Sequence, residues 1–402
     1  MNLFYKCYCR VFQKSLKTAS NFLNWKKPIM LKDFDEALNV LGKDNLFPIF
    51  LVTDKTVGKS DFFISFTKLM DDKKISHVIF NDISSEPDVK LVNAGVKVFK
   101  ENKCKSVIAV GGGSVIDCAK AVAASVSSNK PIEKLKGLLK VKKNLPPFIA
   151  LPTTSGTGSE VTVAAVISDK EKHEKYSVTD TKLIPRYVIL EPKLTINLPP
   201  FVTAYSGMDA LTHAVEAYIG GSNTTKTKEY AEKAVKLIKE NLIEVYKNGG
   251  DLEKRKNMQF ASYYAGLAFT RAYVGPCHAA AHALGAYYGI PHGIACAASL
   301  PLVLKKYGKS CYKKLANLAD IINLKTAGES KTDKACAFIN FIEELNVKLD
   351  IKTAFDCINV DDIPKMAKQA FKESNPLYPS PILFDKSDYE DVFNKLKGEP
   401  IQ

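Results

Sequence analysis

From Pro48 onward, short apolar runs alternate with longer stretches of helical spacing. The runs Ile49-Phe50-Leu51-Val52, Val78-Ile79-Phe80, Ser106-Val107-Ile108-Ala109-Val110 and Phe148-Ile149-Ala150-Leu151 predict strands, and the alternation predicts βα units in a parallel sheet. Residues 163–167 and 187–190 predict further strands, with the polar residues 169–175 as a turn between them. After Leu198-Pro199-Pro200 the pattern changes, and residues 204–218, 227–246 and 258–272 repeat at helical period with few β-branched runs. These patterns predict an α/β domain over 1–198 and an all-α domain over 199–402, with no internal repeat and no low-complexity linker. In the first thirty residues, Val11-Phe12, Leu16, Ala19-Ser20 and Leu23 recur near helical spacing. A packed strand and helix fit that segment, and so does an acid-free basic targeting segment.

Composition narrows the function classes. At 402 residues, 46% hydrophobic and 25% charged, disorder, collagen and a small disulfide scaffold are excluded. No run approaches the length of a membrane helix, since even 106–126 contains Asp117 and Lys120, so no membrane partner is expected. The net charge of +14 raises nucleic acid as a partner, but all but four of the 57 basic residues are lysines scattered along the chain. The four arginines are Arg10, Arg186, Arg255 and Arg271, and no Arg cluster with interleaved aromatics forms, so no nucleic-acid partner is expected. Nine cysteines without a CxxC pair indicate neither a disulfide framework nor a thiolate zinc site, which suits a reducing cytoplasm.

Two loops point to a nucleotide. The strand at 107–110 runs into Gly111-Gly112-Gly113-Ser114 and a helix beginning near Val115, where glycines admit a pyrophosphate to the helix N-terminus. The same pattern also suits a tight βα turn without ligand. Asp54 closes an earlier strand, either as an acceptor for ribose hydroxyls that favours NAD over NADP or as an ordinary turn aspartate. The loop from Thr153-Thr154 to Glu160 follows another strand and is dense in small hydroxyls and glycines.

The helical half holds the candidate metal chemistry. Asp209 and His213 are spaced i, i+4, as are His278 and His282, and Gly289-Ile290-Pro291 presents His292 from a new segment. One carboxylate with three neutral imidazoles suits Fe²⁺ or Zn²⁺ and leaves room for a substrate oxygen. His77 and His173, beside lysines in polar context, read as surface residues.

Four motifs, GGGSxxDxAK at 111–120, TTSGTGSEVT at 153–162, GMDALTHAVEAY at 207–218 and HAAAHALGxxYGxPHG at 278–293, together resemble the group III iron-containing alcohol dehydrogenase family. The resemblance implies a Rossmann-like N-terminal α/β domain followed by a helical domain, the dehydroquinate synthase-like fold. It implies metal ligands Asp209, His213, His278 and His292. Cofactor contacts are implied at Asp54, Gly111, Gly112, Gly113, Ser114, Asp117, Thr153, Thr154, Thr162 and Lys175. The implied activity interconverts a small alcohol and its aldehyde or ketone by hydride transfer to NAD, with NADP second, and His282 is the candidate proton relay beside the nicotinamide. A homodimer is the assembly to expect. The alternatives are a glycerol dehydrogenase-like or dehydroquinate synthase-like relative, and a catalytically silent NAD-binding or scaffold protein; an intact Asp/His/His/His set argues against each. Glu86 stands where many members have Asn and Glu191 where Asp is usual. Arg271 reads either as a salt-bridged helix residue or as a group facing an anion.

Overall fold

The computed structural model describes residues 1–83, 87–169, 171 and 174–398, so Glu86 and His173 lie outside the described residues. The chain opens with helix α1 (Leu3–Ser20) and continues β1 (Ile29–Met30), α2 (Phe34–Lys43), β2 (Ile49–Asp54), α3 (Asp61–Asp72), β3 (His77–Ile83), α4 (Val89–Glu101), β4 (Ser106–Gly111) and α5 (Gly113–Ser128). Short strands β5 (Gly137–Leu138), β6 (Phe148–Pro152), β7 (Ala164–Asp169), β8 (Glu174–Thr179) and β9 (Tyr187–Val188) complete this half. It forms one compact unit over 24–197.

Within that unit six strands are ordered β1-β9-β6-β4-β2-β3, all parallel, and β2, β4 and β6 are buried on both faces, as their unbroken apolar runs require. Chain order runs outward from β2 to β3, then returns past β2 to β4 and onward to β6. The strand order therefore reverses between β2 and β4, and their carboxyl ends flank the position where α/β sheets receive ligands. A second sheet, β5-β8-β7, was not foreseen. Strand β8 begins inside the segment expected as a turn, because its inward Tyr176 and Val178 alternate with polar residues and pair antiparallel with β7. His77 is also not a surface residue; its side chain is 11% exposed and Nδ1 lies 3.0 Å from the Ile75 carbonyl.

The second unit comprises residues 198–402 together with residues 1–23. Its helices are α6 (Pro200–Ile219), α7 (Thr225–Lys247), α8 (Leu252–Ala272), α9 (Pro276–Tyr288), α10 (His292–Tyr307), α11 (Lys309–Ile321), α12 (Lys331–Lys348), α13 (Ile363–Ser374) and α14 (Lys386–Leu396). The opening residues thus pack with the helices and not with the α/β residues among which 1–198 placed them. The reason is long-range: Gln13 donates to the carbonyls of Pro376 and Tyr378, and Tyr5 stacks on Phe371 at 5.9 Å. Three helix starts position the site. Pro200 begins α6 at its first helical position, Gly275-Pro276 begins α9, and Pro291 precedes α10, each using proline where a missing N–H costs nothing.

Candidate functional site

In the α/β unit, β4 delivers Gly111-Gly112 to the start of α5, which no side chain caps. A Cβ on Gly111 would stand 2.5 Å from the Val115 side chain, and one on Gly113 would stand 2.6 Å from Thr157. Those two glycines are required by packing within the protein. Gly112, whose Cβ would meet Thr154 only at 3.4 Å, is the one that leaves room above the helix end. Ser114 lies in the first turn, Thr153 N donates to the Gly111 carbonyl, and Thr154 is half-buried beside Gly112. Asp54, across the strand-order reversal, accepts from Thr56 N and Val57 N through Oδ1 at 2.8 Å each, so it shapes its own turn as well as standing at the strand end. Lys175 is exposed on β8 opposite Ser168.

Two residues expected as cofactor contacts also have partners within the protein. Asp117 accepts from Ser159 Oγ at 2.5 Å and Val166 N at 2.9 Å. Thr162 accepts from Lys120 through both its carbonyl, at 2.9 Å, and its hydroxyl, at 3.0 Å. Lys120 is fully buried and also donates to the Ala164 carbonyl; burial pulls its ammonium down to about 8, against the pull of Asp117 and Glu160. These bonds tie α5 to the far end of the 153–162 loop.

In the helical unit, α6, α9 and α10 converge. Asp209 Oδ1 lies 3.8 Å from His278 Nε2 and 3.4 Å from His292 Nε2, and Cys296 Sγ lies 3.6 Å from His292 Nε2. One ligand atom from each of Asp209, His278, His292 and Cys296 falls within 4.8 Å of the others. Three of the four expected ligands are thus brought together. His213, the fourth expected ligand, flanks this group, sandwiched between Phe269 at 4.0 Å and His278 at 4.3 Å, with Nδ1 3.7 Å from Asp209 Oδ1, as near to it as His278 Nε2. Cys296, one helical turn after His292, is the fourth member of the group.

The electrostatics fit a cation. Asp209 Oδ1 and His278 Nε2 are buried without a hydrogen-bond partner, an arrangement that costs free energy unless something accepts them. Burial pushes the Asp209 carboxyl up to about 7 and pulls the His278 imidazole down to about 3. A neutral imidazole is what a metal ligand requires, and a nearby cation would restore the carboxylate. His278 Nδ1 lies 2.6 Å from Glu216 Oε2, and Glu216 also accepts from Gly275 N and Cys277 N at 2.7 and 2.8 Å. With the ring neutral, Nδ1 donates to Glu216 and Nε2 keeps its lone pair toward Asp209. A Cβ on Gly275 would meet Glu216 Oε1 at 2.5 Å, which explains the glycine.

His282, one turn after His278, is 25% exposed and stacks on His292 at 5.0 Å. Its Nδ1 lies 2.6 Å from Glu373 Oε1, which also accepts from Tyr378 Oη at 2.7 Å. Burial alone would raise the Glu373 carboxyl, but His282 and Tyr378 outweigh it and hold it below its ordinary range. Sequence reasoning missed Cys296, Glu216 and Glu373. The first two stand at helical spacing from expected ligands, i+4 from His292 and i+3 from His213; nothing local marks Glu373. Arg271 Nη2 donates to the Asn21 amide oxygen at 2.7 Å, and Glu191 caps its turn through Lys193 N.

Residues 30–192 match the family described as iron-containing alcohol dehydrogenase, and residues 203–396 match the Fe-containing alcohol dehydrogenase family, C-terminal part. The chain is 31% identical over 346 residues to alcohol dehydrogenase 4 of Saccharomyces cerevisiae, covering 86% of this chain and 90% of that protein. It is 33% identical over 332 residues to the NAD-dependent methanol dehydrogenase of Bacillus methanolicus, covering 81% and 86%. The solved alcohol dehydrogenase from Oenococcus oeni superposes with a TM-score of 0.88 at 30% identity, covering 93% of this chain and 99% of that one. With both halves matched, the chain belongs to the iron-containing alcohol dehydrogenase family of metal-dependent, NAD(P)-linked oxidoreductases acting on CH–OH.

Proposed function

We propose that Asp209, His278 and His292 hold one divalent ion, Fe²⁺ with Zn²⁺ as the alternative, with His213 and Cys296 beside it, and that the enzyme interconverts a small alcohol and its aldehyde using NAD. The observation that supports this most is the pair of unpartnered buried atoms, Asp209 Oδ1 and His278 Nε2, 3.8 Å apart. An ion held by these residues would supply Lewis acidity, and a nicotinamide bound in the α/β unit would supply the hydride acceptor. The chain's own residues bind, orient and move a proton. Glu216 fixes the His278 ring through Nδ1, and Glu373 fixes His282 in the same way, leaving His282 Nε2 to take the hydroxyl proton. Gly112, Ser114, Thr153 and Thr154 receive the pyrophosphate at the α5 N-terminus, with Lys120 holding the second loop from behind.

Asp54 at the end of β2 supports a preference for NAD, because its charge opposes a 2′-phosphate. The cytoplasm is the compartment we assign, supported by nine cysteines present as free thiols. A homodimer is the proposed assembly, supported by the edge strand β1, which leaves Ile29 and Met30 exposed at the margin of the sheet. The test is a panel of short-chain alcohols assayed with NAD or NADP on enzyme loaded with Fe²⁺ or Zn²⁺. Turnover of at least one primary alcohol, faster with NAD, is expected; equal or better use of NADP removes the role given to Asp54, and no turnover with either metal removes the reading.

A further inference from the structure

Helix α1 takes no part in either site, yet its composition and placement are unusual. Phe4, Tyr8 and Val11 recur at i, i+4 and i+7 on one face and are 88%, 53% and 66% exposed, with Leu3 beside them at 73%. Lys6, Arg10, Lys14 and Lys17 recur at i, i+4, i+8 and i+11 as a neighbouring stripe, and no acidic residue precedes Asp33.

The orientation of this helix is fixed from behind. Cys9, Gln13 and Ser20 are buried, and Gln13 is held by the Pro376 and Tyr378 carbonyls. Arg10 donates to the carbonyls of Ser380 and Pro381, and Lys17 to that of Gly221. Those partners are neutral carbonyls, and among the described residues no carboxylate pairs with the stripe. Beside it lies a groove of about 290 Å³ lined by Lys6, Cys7, Arg10, Pro381, Ile382 and Leu383.

We propose that this outward face of α1 is a docking surface for an anionic lipid bilayer, on which the enzyme rests with Phe4, Tyr8 and Val11 entering the interface and the basic stripe meeting the headgroups. Exposed apolar residues beside lysines and arginines on one short helix are the physical requirement for interfacial binding, and the cations select negatively charged lipid. No described helix is long and apolar enough to cross a membrane, so the contact is peripheral. A second copy is a poorer occupant. Two-fold pairing of acid-free helices would set one basic stripe against another.

The full-length enzyme tests this by flotation with vesicles of phosphatidylcholine alone or phosphatidylcholine mixed with phosphatidylserine. Wild type should float with the serine-containing vesicles only, and less as salt is raised. The triple variant Phe4→Ser, Tyr8→Ser, Val11→Ser should lose roughly tenfold or more of the bound fraction while keeping alcohol oxidation in vesicle-free buffer. The pair Lys6→Glu, Lys14→Glu should lose it too. Failure of wild type to float with anionic vesicles overturns the proposal, as does undiminished flotation of the triple variant. A halved solution mass of that variant by light scattering also overturns it, because the stripe would then be covered by a second copy.

Discussion

Gly293 follows His292 in the first turn of α10, where that helix meets α6. A Cβ placed on it would lie 2.2 Å from the Tyr205 carbonyl oxygen and 2.7 Å from the carbonyl carbon. Both atoms are backbone inside α6, so no side chain can turn aside. An acceptable C···O contact is roughly 3.3 Å, so Gly293→Ala must push the two helices apart by about 1 Å. That shift acts directly on the 3.4 Å approach of His292 Nε2 to Asp209 Oδ1. Overpacking of this kind costs about 1–3 kcal/mol of stability, and a displacement of ~1 Å at a reacting centre can cost ~100-fold in rate. The assay pairs thermal melting and bound-metal content with kcat for alcohol oxidation, and uses Gly250→Ala as control. There the added Cβ meets only the Asn248 side chain, at 3.4 Å, so no loss is expected. A Gly293→Ala enzyme with unchanged metal content and kcat would refute the claim that close helix approach places His292.

Glu216→Gln should weaken metal binding by roughly 10–100-fold, measured by competition with a chelator, because the amide no longer anchors His278 Nδ1 as a carboxylate does; unchanged affinity counts against the orienting role. Glu160, fully buried, has its carboxyl pushed up to about 7, first by burial, so its folded form holds a proton that the unfolded chain releases above pH 4.5. Stability from this group is present at low pH and lost as pH rises toward 7, by up to about 3 kcal/mol, and Glu160→Gln should flatten that decline in denaturant titrations at pH 5 and 7. A slope unaltered by the substitution counts against this assignment. His282→Ala should keep its metal and lose turnover, with Glu373→Gln losing part of it; metal loss in His282→Ala would make His282 a ligand instead.

Much of this was legible where chemistry is local. The central strands announce themselves because both their faces are buried, and the i, i+4 pairs Asp209/His213 and His278/His282 share helix faces whatever the tertiary fold. Cys296 was legible in the same way, one turn after His292, but a thiol among alanines reads as packing until Asp209 is seen beside it. Asp117 and Thr162 show the opposite difficulty. Their motifs point to the nucleotide loops, while their side chains are taken by Ser159 and Lys120 across 42 residues in each case. Glu373 meets His282 across 91 residues, and α1 finds its acceptors at 376–381, more than 360 residues away. Such pairings depend on how helices pack, which no local spacing encodes.

The central claim, that Asp209, His278 and His292 form the metal centre of this dehydrogenase, is tested most directly by metal content. Wild type and His278→Ala are purified, reconstituted with Fe²⁺ or Zn²⁺ under identical conditions, and analysed by atomic emission beside circular dichroism. One ion per chain in wild type, and near none in a His278→Ala protein of unchanged helicity, is the predicted result. Full occupancy in His278→Ala would contradict it.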